Sequence, residues 1–191
     1  MNGVLPVVVV LGAALSASAG DLHGRVTAKG GSGADAVVFV APVAGKTFAP
    51  PKEHAQVDQL NLKFKPHVLP ILVGTTVDFV NSDPVNHNVF TPDACAGKFN
   101  LGTWGKGQLK SHTFNKECAA TLLCLVHPEM EAFVVAVPTP YFATTGPDGA
   151  YQIRDVPDGS YTVKVWHPKL KGREMAVTVA GATAANFEIS K

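Results

Sequence analysis

Helical periodicity is nearly absent from this sequence. Its apolar runs are short, alternating or β-branched, and turn formers break them about every ten residues, as in β-sandwiches. Only 16% of the 191 residues are charged, and there are 18 glycines and 14 prolines. That balance predicts an all-β protein with one large or two small cores. Expected strands are Ala36–Ala41, His67–Val73, Thr76–Val80, Asn88–Phe90, Lys110–Phe114, Thr121–Val126 and Ala132–Val137. Further strands are expected at Tyr151–Ile153, Tyr161–Trp166, Met175–Val179 and Asn186–Ile189, with His23–Thr27 opening the fold. Turns are signalled at Gly30–Gly33, Val73–Thr75, Pro147-Asp148-Gly149 and Pro157-Asp158-Gly159.

The first residues read as a targeting segment. Val4–Leu15 is apolar and too short to cross a bilayer, and Ala17-Ser18-Ala19 has the small-x-small form of a cleavage site. Residues 1–19 are therefore expected to be a signal peptide, although no Lys or Arg precedes the apolar run. A buried strand or an uncleaved anchor is the alternative. Export to the periplasm or beyond follows, with no membrane span in the mature chain. The formal charge of +1 and the absence of a Lys/Arg cluster argue against nucleic acid as a partner.

Two proline-rich seams divide the chain. One is Gly45–Glu53 and the other Val137-Pro138-Thr139-Pro140. Residues 55–137 between them hold all three cysteines and four of the seven histidines, and are expected to form one domain. Residues 20–54 and 138–191 are expected to form a second, discontinuous one. Within the middle segment, Cys124-Leu125-Val126-His127-Pro128-Glu129-Met130 sets a thiolate, an imidazole and a thioether in one short loop. Such a loop cannot close a metal's shell alone, and His87 in Asn86-His87-Asn88-Val89-Phe90 is suited to complete it. Two imidazoles, one thiolate and a distant thioether suit an electron-transfer copper site.

These residues resemble a known family. The C-x-x-H-x-x-M loop, the His87-Asn88-Val89 strand, and the run from Phe64-Lys65-Pro66 to Val73-Gly74-Thr75-Thr76-Val77-Asp78-Phe79-Val80-Asn81 are similar to the small cupredoxins. The resemblance implies a Greek-key β-sandwich and one type 1 (blue) copper ion. His87, Cys124, His127 and Met130 would be its ligands, and Asn88 would tie the two ligand loops together. It also implies that electrons leave through His127, toward a redox protein such as a c-type cytochrome or a periplasmic dehydrogenase docking there. The flanks, with Asp148-Gly149-Ala150-Tyr151 and Pro157-Asp158-Gly159-Ser160-Tyr161, resemble the carboxypeptidase regulatory-like (transthyretin-like) sandwich. A small all-β sandwich is thus expected around an inserted one.

An odd cysteine count in an oxidising compartment suggests one bridge and one free thiol. A Cys95–Cys118 disulfide would brace the ligand-bearing segments and leave Cys124 free; both could instead stay reduced or pair with another chain. His112 is expected to face solvent, His67 is not expected to be a ligand, and His23, His54 and His167 are scattered. Trp104 and Phe99 read as core or rim. The favoured function is a non-enzymatic electron carrier. Copper storage, delivery or resistance is the alternative, without the Met-rich or His-rich tracts that would favour it. A multicopper oxidase or nitrite reductase fragment would need H-x-H pairs, which are absent. An adhesion role for the flanks has no residue to name its ligand. Leu125 and Val126 beside His127 would make a small apolar docking patch.

Overall fold

The computed structural model describes residues 18–29 and 33–191. The apolar run Val4–Leu15 lies outside the described residues, as does most of the Gly30–Gly33 turn. The described chain is all-β. In order, its strands are β1 (Ala19–Ala28), β2 (Val37–Val40), β3 (Ala55–Gln59), β4 (Phe64–Lys65), β5 (Val68–Leu72) and β6 (Thr76–Asn81). Next come β7 (His87–Phe90), β8 (Asn100–Trp104), β9 (Leu109–Thr113), β10 (Cys118–Leu123) and β11 (Glu131–Val137). The last are β12 (Phe142–Thr144), β13 (Ala150–Pro157), β14 (Gly159–Trp166), β15 (Arg173–Val179), β16 (Thr183–Ala184) and β17 (Phe187–Ile189). One 3-10 turn, Ala94–Ala96, follows β7.

Strands β3 to β11 build two facing sheets. One is ordered β5-β11-β10-β7-β8 and the other β4-β3-β6-β9. Alternation explains the packing: Val77 and Phe79 of β6 and Ala120 and Leu122 of β10 point into one shared core, while their neighbours face outward. The remaining strands build a second pair of sheets, ordered β13-β1-β16 (with β17 also on β1) and β12-β2-β14-β15. Their core includes Leu22, Val38, Val40, Ile153, Val163 and Phe187. Gly149 closes the turn before β13 at φ +80, where a Cβ would stand 2.2 Å from the Val26 carbonyl oxygen. Glycine alone fits there.

The two sandwiches meet through a third apolar cluster. Strand β11 reads Glu131-Ala132-Phe133-Val134-Val135-Ala136-Val137 and is buried on both faces. Ala132, Val134 and Ala136 enter the first core, whereas Phe133, Val135 and Val137 join Val37, Phe39 and Val68 at the seam. The Phe133 ring lies 5.3 Å from that of Trp166 and 5.6 Å from that of His67. Beside it, His67 Nδ1 pairs with the Asp35 carboxylate at 2.8 Å.

Several strands differ from the sequence expectation. β3, β4, β8, β12 and β16 were not anticipated, because they are short or carry polar residues such as Gln56 and Asp58. The strand expected at Thr121–Val126 is instead Cys118–Leu123. Its ladder with β11 runs from Cys118↔Ala136 to Leu123↔Glu131 and then ends. Leu125 and Val126, whose apolar character suggested strand, lie 62% and 46% exposed in the loop that follows.

Candidate metal centre

Strand pairing brings four connections to one end of the first sandwich. β3, β6, β8 and β10 run toward that end, and the chain turns back at residues 60–63, 82–86, 105–108 and 124–130. The first three of these turns are bonded to one another. The buried Asn81 side chain donates to the carbonyls of Val85 and Trp104, both at 2.9 Å, and its oxygen accepts the Asp83 N–H. Ser82 and Asp83 also donate to the Gln59 carbonyl. A rigid rim results.

Three potential ligands converge inside it. His87 opens β7 opposite Trp104 and is fully buried. Cys124 follows the last residue of β10 and is a buried free thiol. His127 reaches back from the loop so that its Nδ1 stands 3.0 Å from His87 Nδ1. Among the described residues, His87, Cys124 and His127 form a group whose donor atoms all lie within 4.8 Å of one another. Met130 is also buried, in the same core cluster as Cys124, and its N–H donates to the His127 carbonyl at 3.0 Å. Asn88 joins the two ligand segments. Its backbone N–H points at Cys124 Sγ (3.4 Å), and its side-chain oxygen accepts the Leu125 N–H (3.3 Å). Its amide donates to Asn100 and Gly102.

The tautomer of His87 is set from behind. Its Nε2 meets Asp83 Oδ2 at 2.8 Å, with both side chains buried. Burial pushes the Asp83 carboxyl up, but bonds from Leu62 N–H, His87 and Asn61 N–H hold it below the usual carboxylate range. An ionised Asp83 accepts the Nε2 proton and leaves the Nδ1 lone pair facing His127. Two imidazole nitrogens 3.0 Å apart need a proton or a cation between them. At ordinary bond lengths of about 2.0 Å they can share one ion. The N, N, S donor set fits a soft, imidazole-accepting metal such as copper.

Cys95 in the 3-10 turn and Cys118 at the start of β10 form a disulfide. His112 departs from expectation. Its ring stacks on Phe99 with centroids 4.0 Å apart, lies edge-on to Phe114, and donates from Nε2 to the Ala96 carbonyl. Burial lowers its pKa from the ordinary 6.5, more than that hydrogen bond raises it. The unfolded chain therefore binds a proton before the folded one as pH falls, so His112 subtracts stability below about pH 6.5. The denaturation midpoint of His112→Gln should fall less than that of the wild type between pH 7.5 and 5.5; equal slopes would count against this.

Away from the site, His54 and Ser111 both bond to the Asp78 carboxylate. Ser111 does not activate as a nucleophile there, because its hydroxyl meets the acid and not the imidazole.

No family model and no curated protein matches the chain. Among solved structures, it is similar to a copper-containing nitrite reductase from Thermus scotoductus, at 27% identity and a TM-score of 0.43. That match covers 52% of this chain and 25% of the reductase, so the chain spans about a quarter of that protein's length. It is also similar to a purple cupredoxin from Nitrosopumilus maritimus (28% identity, TM-score 0.39), over 43% of this chain and 98% of that one. A variant of amicyanin in its Cu(I) form matches at 26% identity and a TM-score of 0.42, over 53% and 98% of the two chains.

Proposed function

We propose that this chain is an exported copper protein that carries single electrons between redox partners, with His87, Cys124, His127 and Met130 holding one type 1 copper ion. The observation that carries the reading is the convergence of two imidazoles and a buried thiol within 4.8 Å, of which only His127 is partly exposed. Bound copper supplies one-electron chemistry by cycling between Cu(I) and Cu(II). Everything else is the work of the chain. His87 is fixed by Asp83, and Cys124 is steadied by the Asn88 N–H. The bonded turns beside His87 and the Asn88 bridge to the Cys124 loop limit how far the ligands move, which keeps the reorganisation on electron transfer small. His127 is the outlet. Leu125 and Val126 beside it, with Leu62 and Val85 on neighbouring turns, are exposed apolar side chains around that outlet. A weakly bound partner, such as a c-type cytochrome or a periplasmic dehydrogenase, would dock there. We also read residues 1–19 as the export signal. Residues 55–137 would be the copper-binding domain, set within a sandwich of residues 20–54 and 138–191.

Cu(II) added to the purified apo-protein tests this. One equivalent should bind and produce an intense visible thiolate-to-copper band, absent from Cys124→Ser. Copper bound without that band would overturn the electron-transfer reading in favour of copper storage or delivery.

A further inference from the structure

We propose that Asp83 is a positioning residue that makes the site hold Cu(II) more tightly relative to Cu(I), through a charged hydrogen bond to His87 that a strained turn keeps in place. This rests on the copper reading above. The Asp83 carboxylate has no water-facing role: its side chain is 5% exposed and that of His87 0%. Its acceptors are taken up by His87 Nε2 at 2.8 Å, Asn61 N–H at 2.7 Å and Leu62 N–H at 2.9 Å. Those two backbone donors belong to the turn between β3 and β4, closed by the Leu60 N–H to the Lys63 carbonyl at 3.0 Å.

That turn is unusual in composition. Asn61 and Leu62 both lie in the left-handed region, at φ 59 and 56. Two-residue hairpin turns of this handedness favour Asn followed by Gly, because a side chain at the second position is strained. Leu62 is 42% exposed, so burial does not offset its strain. What the conformation does provide is a pair of adjacent N–H groups aimed at one carboxylate, and strain retained in this way marks a functional constraint.

The electrostatics follow. A buried anion one imidazole away from a metal attracts a doubly charged ion more than a singly charged one, and its pull is weakly screened. It also raises the basicity of the ligand nitrogen and fixes the ring's orientation. Both effects favour Cu(II), so the carboxylate lowers the reduction potential.

Asp83→Asn keeps the shape and removes the charge. Its Cu(II) affinity should fall about 10- to 100-fold, as for other groups that orient a ligand, and its Cu(I) affinity by much less. Each tenfold difference raises the potential by about 59 mV. Equal losses for both ions, with an unchanged potential, would overturn the proposal and leave Asp83 a merely structural role. A second measurement needs no variant. In the Cu(I) wild type, nitrogen NMR should show His87 carrying a slowly exchanging proton on Nε2, and a rapidly exchanging or absent proton would also overturn it. A wild type without the thiolate-to-copper band would defeat the copper reading itself. A normal band with an unmoved potential in Asp83→Asn would defeat this inference alone.

Discussion

Phe133→Ala lowers the stability of the described fold by about 3–5 kcal/mol, the usual effect of deleting a buried aromatic ring. Phe133 is 8% exposed and fills the seam between the rings of Trp166 and His67. Its backbone N–H, bonded to the His67 carbonyl, stays in place in the variant, so the loss is one of packing. The chain has two tryptophans, and they report on different places. Trp104 lies in the core of the site-bearing sandwich, and Trp166 packs at the seam. In urea, fluorescence of single-tryptophan versions should give one coincident transition with Phe133 present. With alanine the Trp166 transition should move to lower urea ahead of that of Trp104. Coincident curves and a loss under about 1 kcal/mol, the size of a generic substitution, would show that the seam does not couple the sandwiches.

Removing the disulfide has the second large effect. Cys95 and Cys118 are 23 residues apart in sequence. Closing a loop of that length stabilises the folded state by about 3.5 kcal/mol in the chain-entropy account. The double variant Cys95→Ser, Cys118→Ala should lose about that much, with alanine chosen because Cys118 is buried. The local geometry has a second anchor. The Asp93 carboxylate accepts the Thr121 N–H at 2.6 Å and so holds the 3-10 turn against β10 without the bridge. The thiolate-to-copper band should therefore persist in this variant at temperatures where it remains folded. A lost band in a folded double variant would show that the bridge shapes the site directly.

Much of the site could be read from the sequence because its chemistry sits at fixed, short spacing. Cys124 and His127 share one short loop, and His87 in the Asn86–Phe90 segment supplies the third donor that the structure brings to them. Asp83 was not legible. It is one carboxylate in a polar loop, and it acquires a role only when a turn some twenty residues earlier folds over it. His112 was misplaced for a related reason. Its polar neighbours Lys110 and Ser111 suggested solvent, but it pairs with the buried Val77 and shares the inner face with Phe114, where Phe99 and the carbonyl of Ala96 cover it. The seam left a trace that period-two reasoning does not use. β11 is apolar at six consecutive positions, the mark of a strand buried on both sides. The parallel pairings of β3 with β6 and β5 with β11 join distant segments and have no local signature.

The pairing of β2 with β12 has a kinetic meaning. Phe39 pairs with Phe142 and Val37 with Thr144, as in a simple hairpin, yet about a hundred residues separate the two strands. Closing an unstructured loop of that length costs about 3 kcal/mol more than closing a tight turn. The chain between them need not be unstructured when they meet. Ala55 at the start of β3 lines the same groove as Pro140 and Phe142, so a folded β3–β11 unit brings its own ends back to the place where β2 and β12 join. If β3–β11 fold before the strands around them, the β2–β12 pairing becomes a nearly local contact.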